Sequence, residues 1–212
     1  VISIYNYDMI IFIVCLTMFG VFICIFALYY LISFVSVIVN MHKTTKIIYT
    51  DMITGGDNWL HFVKKGTQLL KRNRSCKYNY AMIHLKMRKY RSFCTCFGVR
   101  EAEELTEKFY HVLKKQINKR ETMALHENAE FGLLITYTDV EELTSRIRAW
   151  EKALNTVLPN IKLQFGSGVY LVQPREWDVE LLYNNALLAR EMSGEDADNS
   201  IGFLFPQINT EN

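Results

Sequence analysis

Hydrophobic and polar positions divide this chain into two stretches of different character. From Met9 to Val39 no residue is charged, and the run is dense in Ile, Phe, Val and Leu. A helix needs about 20 apolar residues to cross the hydrocarbon core of a bilayer, and this run exceeds that even with tilt. A core helix would show a polar face over such a length. A signal peptide would need a basic start, a short apolar centre and a small-residue cleavage site. Gly20 alone is a weak signal for the turn of a re-entrant pair. The pattern therefore predicts one transmembrane helix over 9–39, after an extracytoplasmic flank at 1–8. His42, Lys43 and Lys46 follow the span and Asp8 precedes it, which by the positive-inside tendency puts the C-terminal side in the cytoplasm. Ile38, Met41, Thr45 and Ile48 would form one stripe on a linker helix over 40–50, suited to a parallel partner helix and so to a homodimer. A lone helix continuing past the headgroups fits the same residues.

Beyond residue 51 the period alternates between helix and strand. Trp59 to about Arg72 predicts a helix, introduced by the turn Gly55-Gly56-Asp57-Asn58, with Asp57 or Asn58 as its cap. The basic cluster Lys71, Arg72, Arg74 and Lys77 suits the end of that helix. Tyr80 to Met87 alternates as a strand, with Ala81, Ile83 and Leu85 on one side and Met82 and His84 on the other. Arg100 to Lys119 shows Ala102, Leu105, Phe109 and Leu113 at helical spacing. Residues 121–137, ETMALHENAEFGLLITY, carry apolar arms around Glu127, Asn128, Ala129 and Glu130, which predicts a β-hairpin whose tip faces solvent. Asp139 begins a helix with Leu143, Ile147, Trp150 and Leu154 along one face, and Leu158-Pro159-Asn160 breaks it. A strand over Ile161–Val172, a helix over Asp178–Arg190 burying Leu181, Leu182, Ala186 and Ala189, a polar loop at Gly194–Ser200 and a strand over Ile201–Phe205 complete the series. This order predicts an α/β sandwich with a mainly antiparallel central sheet and surrounding helices.

A net charge of +2 and a pI near 8.2 are too mild to argue for nucleic acid. The five cysteines are irregularly spaced, which argues against a disulfide framework. Cys94-Thr95-Cys96 is a lone C-x-C, better explained by ordinary packing than by metal. His111 and His126 fit surface positions. The chain begins at Val1 and not at Met, as a piece of a longer polypeptide would.

Two stretches carry a family resemblance. Asp51-Met-Ile-Thr-Gly-Gly-Asp-Asn-Trp-Leu-His-Phe62 resembles the D-x-L-T-G-L-x-N-R-x-x-F opening motif of the GGDEF domain of diguanylate cyclases. It matches at Asp51, Thr54, Gly55, Asn58 and Phe62, with Ile53 in place of Leu and Trp59 in place of Arg. The family's Gly-Gly-Asp/Glu-Glu-Phe turn stands here as Glu127-Asn128-Ala129-Glu130-Phe131, in which only Glu130 and Phe131 match. Gln164–Val169 is similar to the family's T-x-S-x-G-V strand, and Asp178–Arg190 to its A-D-x-A-L-Y-x-A-K helix. The resemblance runs from Gly55 to the end and implies a nucleotide-cyclase-like domain over 51–212.

In active cyclases, the resemblance implies, the two glycines let the backbone close on a phosphate and the acidic third residue ligates Mg²⁺. The preceding D-x-D-x-F-K-x-x-N-D-x-x-G segment supplies a metal ligand, a substrate-positioning Asn and an Asp that reads guanine. Counting back from Gly98, the equivalents here are Lys86, Arg88, Tyr90, Arg91, Cys94 and Thr95. An ammonium repels a divalent ion and donates nothing to it, and Ala129 has no oxygen to offer. The product-inhibition motif R-x-x-D corresponds to Asn118-Lys119-Arg120-Glu121, which lacks the Arg. The expectation is a membrane-anchored, single-pass GGDEF domain that is not an enzyme, with no catalytic residue, metal or cofactor, acting as a regulatory or interaction module in cyclic di-GMP signalling. The resemblance implies an adjoining EAL or sensor domain. Two rivals stand beside it: a sensor that binds GTP weakly without turnover through Lys86, Arg88, Lys89 and Arg91, and an active cyclase by an unfamiliar route. The plain reading of those four cations is a solvated loop.

Overall fold

A computed structural model describes residues 2–194 and 201–205, apart from the side chains of 2–8, 10 and 42–46. The side chains of Asp8, His42, Lys43, Thr45 and Lys46 therefore lie outside the described residues, as does the polar loop beyond Gly194. The chain divides into two compact units, Val1–Ile48 and Tyr49–Asn212. Helix α1, Ile2–Tyr49, is continuous through Gly20, so no re-entrant pair forms. Its segment Ile11–Met41 is long and apolar enough to cross a membrane. Large apolar side chains are exposed all along that segment.

The second unit contains α2 (Trp59–Arg72), β1 (Asn79–Met87), α3 (Tyr90–Phe97), α4 (Val99–Lys114), β2 (Thr122–Glu127), β3 (Glu130–Tyr137), α5 (Val140–Asn155), β4 (Phe165–Leu171), α6 (Val179–Met192) and β5 (Ile201–Leu204). The strands form one sheet in the order β2-β3-β1-β4-β5, antiparallel except for the β4–β5 pair. Because side chains alternate across a strand, β1 sends Ala81, Ile83 and Leu85 to one face and Met82 and His84 to the other. The first face packs against α4 and α5 through Phe109, Leu113, Ile147 and Trp150. The second packs against α2 and α6 through Phe62, Leu70, Val179 and Leu182.

Local chemistry explains the element starts. The Asn58 carboxamide accepts from His61 N (3.0 Å), the Asp139 carboxylate from Glu142 N (2.8 Å) and Asp178 from Leu181 N (3.1 Å), each satisfying a donor that a helix start leaves open. Asp51 closes the opening turn by accepting from the Thr54 amide and hydroxyl, both at 2.8 Å. Gly55 at φ +65° follows in the left-handed region.

Four expectations need correction. The stretch around Arg88 and Arg91 is not a loop throughout, since α3 occupies Tyr90–Phe97. Helix α4 ends at Lys114, well before Lys119, and the next segment is held by the Glu121 carboxylate accepting from Asn118 N at 3.0 Å. Strand β4 starts at Phe165, not Ile161, because Leu163 N donates to the Asn155 side chain at 2.9 Å and so is tied to the end of α5. Leu181 is exposed on the outer side of α6, while Val179, Leu182, Tyr183, Ala186 and Ala189 form its buried stripe.

Candidate functional site

The β2–β3 hairpin turns on Asn128 (φ 45°) and Ala129 (φ 56°). Two consecutive left-handed residues make a type I′ turn, whose twist matches the flanking strands. Asn tolerates that conformation, whereas Ala is strained there. The tip does not face solvent as a whole. Glu127 and Asn128 are exposed, but Ala129 and Glu130 are buried. Ala129 is pinned by Met87 N, which donates to its carbonyl at 3.2 Å, and Phe131 lies in the core.

Antiparallel pairing of β1 with β3 sets Lys86 directly opposite Glu130. The Lys86 ammonium lies 2.5 Å from one Glu130 oxygen, and Nε2 of fully buried His84 lies 3.1 Å from the other. Lys86 is thus a strand residue committed to an ion pair, not a solvated loop residue. Burial alone would push the Glu130 carboxyl up, but hydrogen bonds from His84 and Lys86, reinforced by charge, hold it at about 2. Burial pushes His84 down, so its imidazole is neutral, donates from Nε2 and leaves Nδ1 without a partner among the described residues. The stabilising charge on Glu130 is therefore that of Lys86.

Around this pair stands an aromatic group. Trp59 meets His126 edge-on at 4.5 Å between centroids and Tyr183 at 4.6 Å, and Tyr183 meets His84 at 5.3 Å. His126 is at the surface as expected, yet its ring is held by two aromatic neighbours. His84, Trp59 and Tyr183 were not legible as site residues. The one signal was a lone histidine among the inward-facing apolar positions of β1.

A cleft of about 360 Å³ opens between the hairpin and the start of α3, lined by Lys86, Lys89, Tyr90, Arg91, Glu127, Asn128 and Glu130. Lys89 has φ 55° and no side chain caps the helix it introduces. Of the expected positions, Lys86, Glu127, Asn128 and Glu130 come together here. Cys94 and Thr95 do not line the cleft, and the Thr95 hydroxyl donates back to Arg91 O at 3.0 Å. Arg88 lies instead against Gly166 of β4.

His126, Glu127 and Glu130 offer ligand atoms within 4.8 Å of one another. A hard divalent ion seeks about six oxygens, and both Glu130 oxygens already hold Lys86 and His84. At Asn118–Glu121, the buried Glu121 carboxylate accepts from both Arg146 NH2 groups at 2.8 and 2.7 Å and from Thr136 N at 3.0 Å. Burial would raise its pKa, but these donors lower it, and no oxygen is left facing outward.

Residues 48–196 match the family described as "Diguanylate cyclase, GGDEF domain". No curated protein sequence matches the chain. The fold is similar to the coiled coil and GGDEF domain of DgcB from Caulobacter crescentus in complex with c-di-GMP, with TM-score 0.70 and 12% identity over 81% of this chain and 94% of that one. It is also similar to diguanylate cyclase SiaD from Pseudomonas aeruginosa in complex with its activator SiaC, with TM-score 0.66 and 12% identity over 81% and 68% of the two chains. The FimX GGDEF domain from Pseudomonas aeruginosa gives TM-score 0.60 and 13% identity over 74% and 99%.

Proposed function

The chain belongs to the GGDEF family, and from that premise we propose that it is a membrane-anchored, catalytically inactive GGDEF domain acting as a regulatory or interaction module in cyclic di-GMP signalling. One observation carries this reading: the Lys86 ammonium sits on the Glu130 carboxylate, where the family resemblance calls for a divalent cation. Metal-assisted phosphoryl transfer needs cations that neutralise charge developing on the transferred phosphate, held by carboxylates that are free to bind them. Glu130 is not free, Ala129 has no side-chain oxygen, and Lys86 adds a repelling charge. Helix α1 supplies the anchor, spanning the bilayer once over about 9–39, with 40–50 as linker and the domain from 51 on the cytoplasmic side. The proposed output is contact with an adjoining domain, such as a sensor or an EAL phosphodiesterase, or with a second copy of the chain.

The test is incubation of the full chain in detergent with GTP and Mg²⁺, followed by chromatography of the products. No cyclic di-GMP is expected at any enzyme concentration. Its formation, lost on Ala substitution of Glu130, would overturn the reading.

A second reading rests on the cleft itself. Lys86, Lys89 and Arg91 bring positive charge to its walls beside the uncapped start of α3, an arrangement suited to an anion. In this reading the domain binds GTP without turnover and passes that state to its partner. Saturable GTP binding that is insensitive to chelation of Mg²⁺ favours it; absence of binding at millimolar GTP leaves the purely structural module.

A further inference from the structure

At the other end of β1, seven residues and about 23 Å from Lys86 at strand rise, a cavity of about 460 Å³ opens between the loop after α2 and the loop before α6. Its walls include the rings of Tyr78, Tyr80 and Trp177, and two arginines, Arg74 and Arg175, reach it from opposite loops. The one acid on the lining, Glu176, is committed elsewhere: one oxygen accepts from the Tyr170 hydroxyl at 2.9 Å and the other from Gln173 N at 2.8 Å. Among the described residues no carboxylate pairs with Arg74 or Arg175. Arg74 is braced over the Trp177 ring at 5.9 Å, and just outside Arg120 lies 4.6 Å over Tyr78. Both loops hold a non-glycine residue in the left-handed region, Cys76 at φ 51° and Arg175 at φ 71°. Such strain persists only where the surroundings enforce it.

Unpaired guanidiniums, aromatic walls and an acid turned inward make a site of one chemistry. We propose that this pocket binds a small anion carried on a planar ring, with Arg74 and Arg175 holding the anionic group and Trp177 and Tyr78 covering the ring. Guanidinium suits phosphate or carboxylate through paired N–H donors, and ring stacking tolerates many ring types. Neither Glu121 nor Arg146 lines this pocket, and neither does any residue of the hairpin cleft.

The test is isothermal titration of the full chain in detergent with adenosine 5′-monophosphate, with inorganic phosphate and adenosine as separate arms. The expected result is saturable binding of the monophosphate with Kd of about 1 mM or tighter, and each half of the molecule at least about tenfold weaker. Arg74→Gln and Arg175→Gln should each weaken binding by about tenfold, the loss of one charged hydrogen bond. Arg100→Gln, at an exposed position of α4 that lines neither this pocket nor the hairpin cleft, should leave it unchanged. The proposal is overturned if the monophosphate does not bind, if phosphate alone binds as tightly, or if both Arg variants retain full binding. Exposed Arg74 and Arg175 bear no core packing, so both variants will fold; retained thermal unfolding temperature verifies this.

Discussion

Two of the buried glutamates, one on each face of the sheet, are treated in opposite ways. On the α2/α6 face, Glu130 is held by the Lys86 ammonium and His84, and its carboxyl stands at about 2. On the α4/α5 face, Glu151 of α5 is 3% exposed and accepts a hydrogen bond from Ser167 of β4 at 3.2 Å. Burial pushes its carboxyl up to about 7, against the weaker pull of Ser167, Arg148 and Arg88. The difference teaches that depth alone does not set a carboxylate's state. A partner charge placed directly across a strand pair reverses what burial dictates.

The largest effect should come from removing that partner. Lys86→Met leaves Glu130 buried beside a neutral imidazole, and the fold should lose about 2–4 kcal/mol at pH 7, read by chemical unfolding. The Glu130 contribution is present above the unfolded carboxyl pKa and is lost as pH falls toward about 2. The acid limb of the stability curve below pH 4 should therefore flatten in Lys86→Met. An unchanged acid limb would show that Lys86 is not what holds Glu130 ionised.

Glu151 should respond with the opposite sign. Its folded pKa is raised, so its favourable contribution is present below about pH 4.5 and is lost as pH rises through about 7. Glu151→Gln, which copies the protonated acid, should gain about 2 kcal/mol at pH 8 and close to nothing at pH 4. A loss at pH 8 would break the comparison. The smallest effect belongs to the turn: Ala129→Gly should gain about 0.5–1 kcal/mol by relieving the left-handed backbone at φ 56°. A loss instead would mean that the buried methyl contributes more than the strain.

Much of the architecture was legible because short-range patterns carry it. The alternation in Tyr80–Met87 assigned each side chain to its face, Asp139 announced its helix, and Gly55-Gly56-Asp57-Asn58 marked a turn into a helix that Asn58 does cap. Boundaries failed where a distant partner decided them, as when Asn155 draws Leu163 out of β4. The helix at Tyr90–Phe97 was missed because it is only two turns long and its short stripe, Tyr90 and Phe93, is half-buried against the core.

The sequence by itself determined that a long uncharged run precedes an α/β domain, that Ala129 brings no side-chain oxygen to the turn, and that bases stand at Lys86 and Arg88. Those are matters of residue type and local spacing. Only the tertiary structure decided that Lys86 meets Glu130, that His84 closes the other side, and that Arg74 and Arg175 converge on one pocket. Strand register and loop closure bring together residues far apart in the chain, and no local pattern encodes which charge will neutralise which.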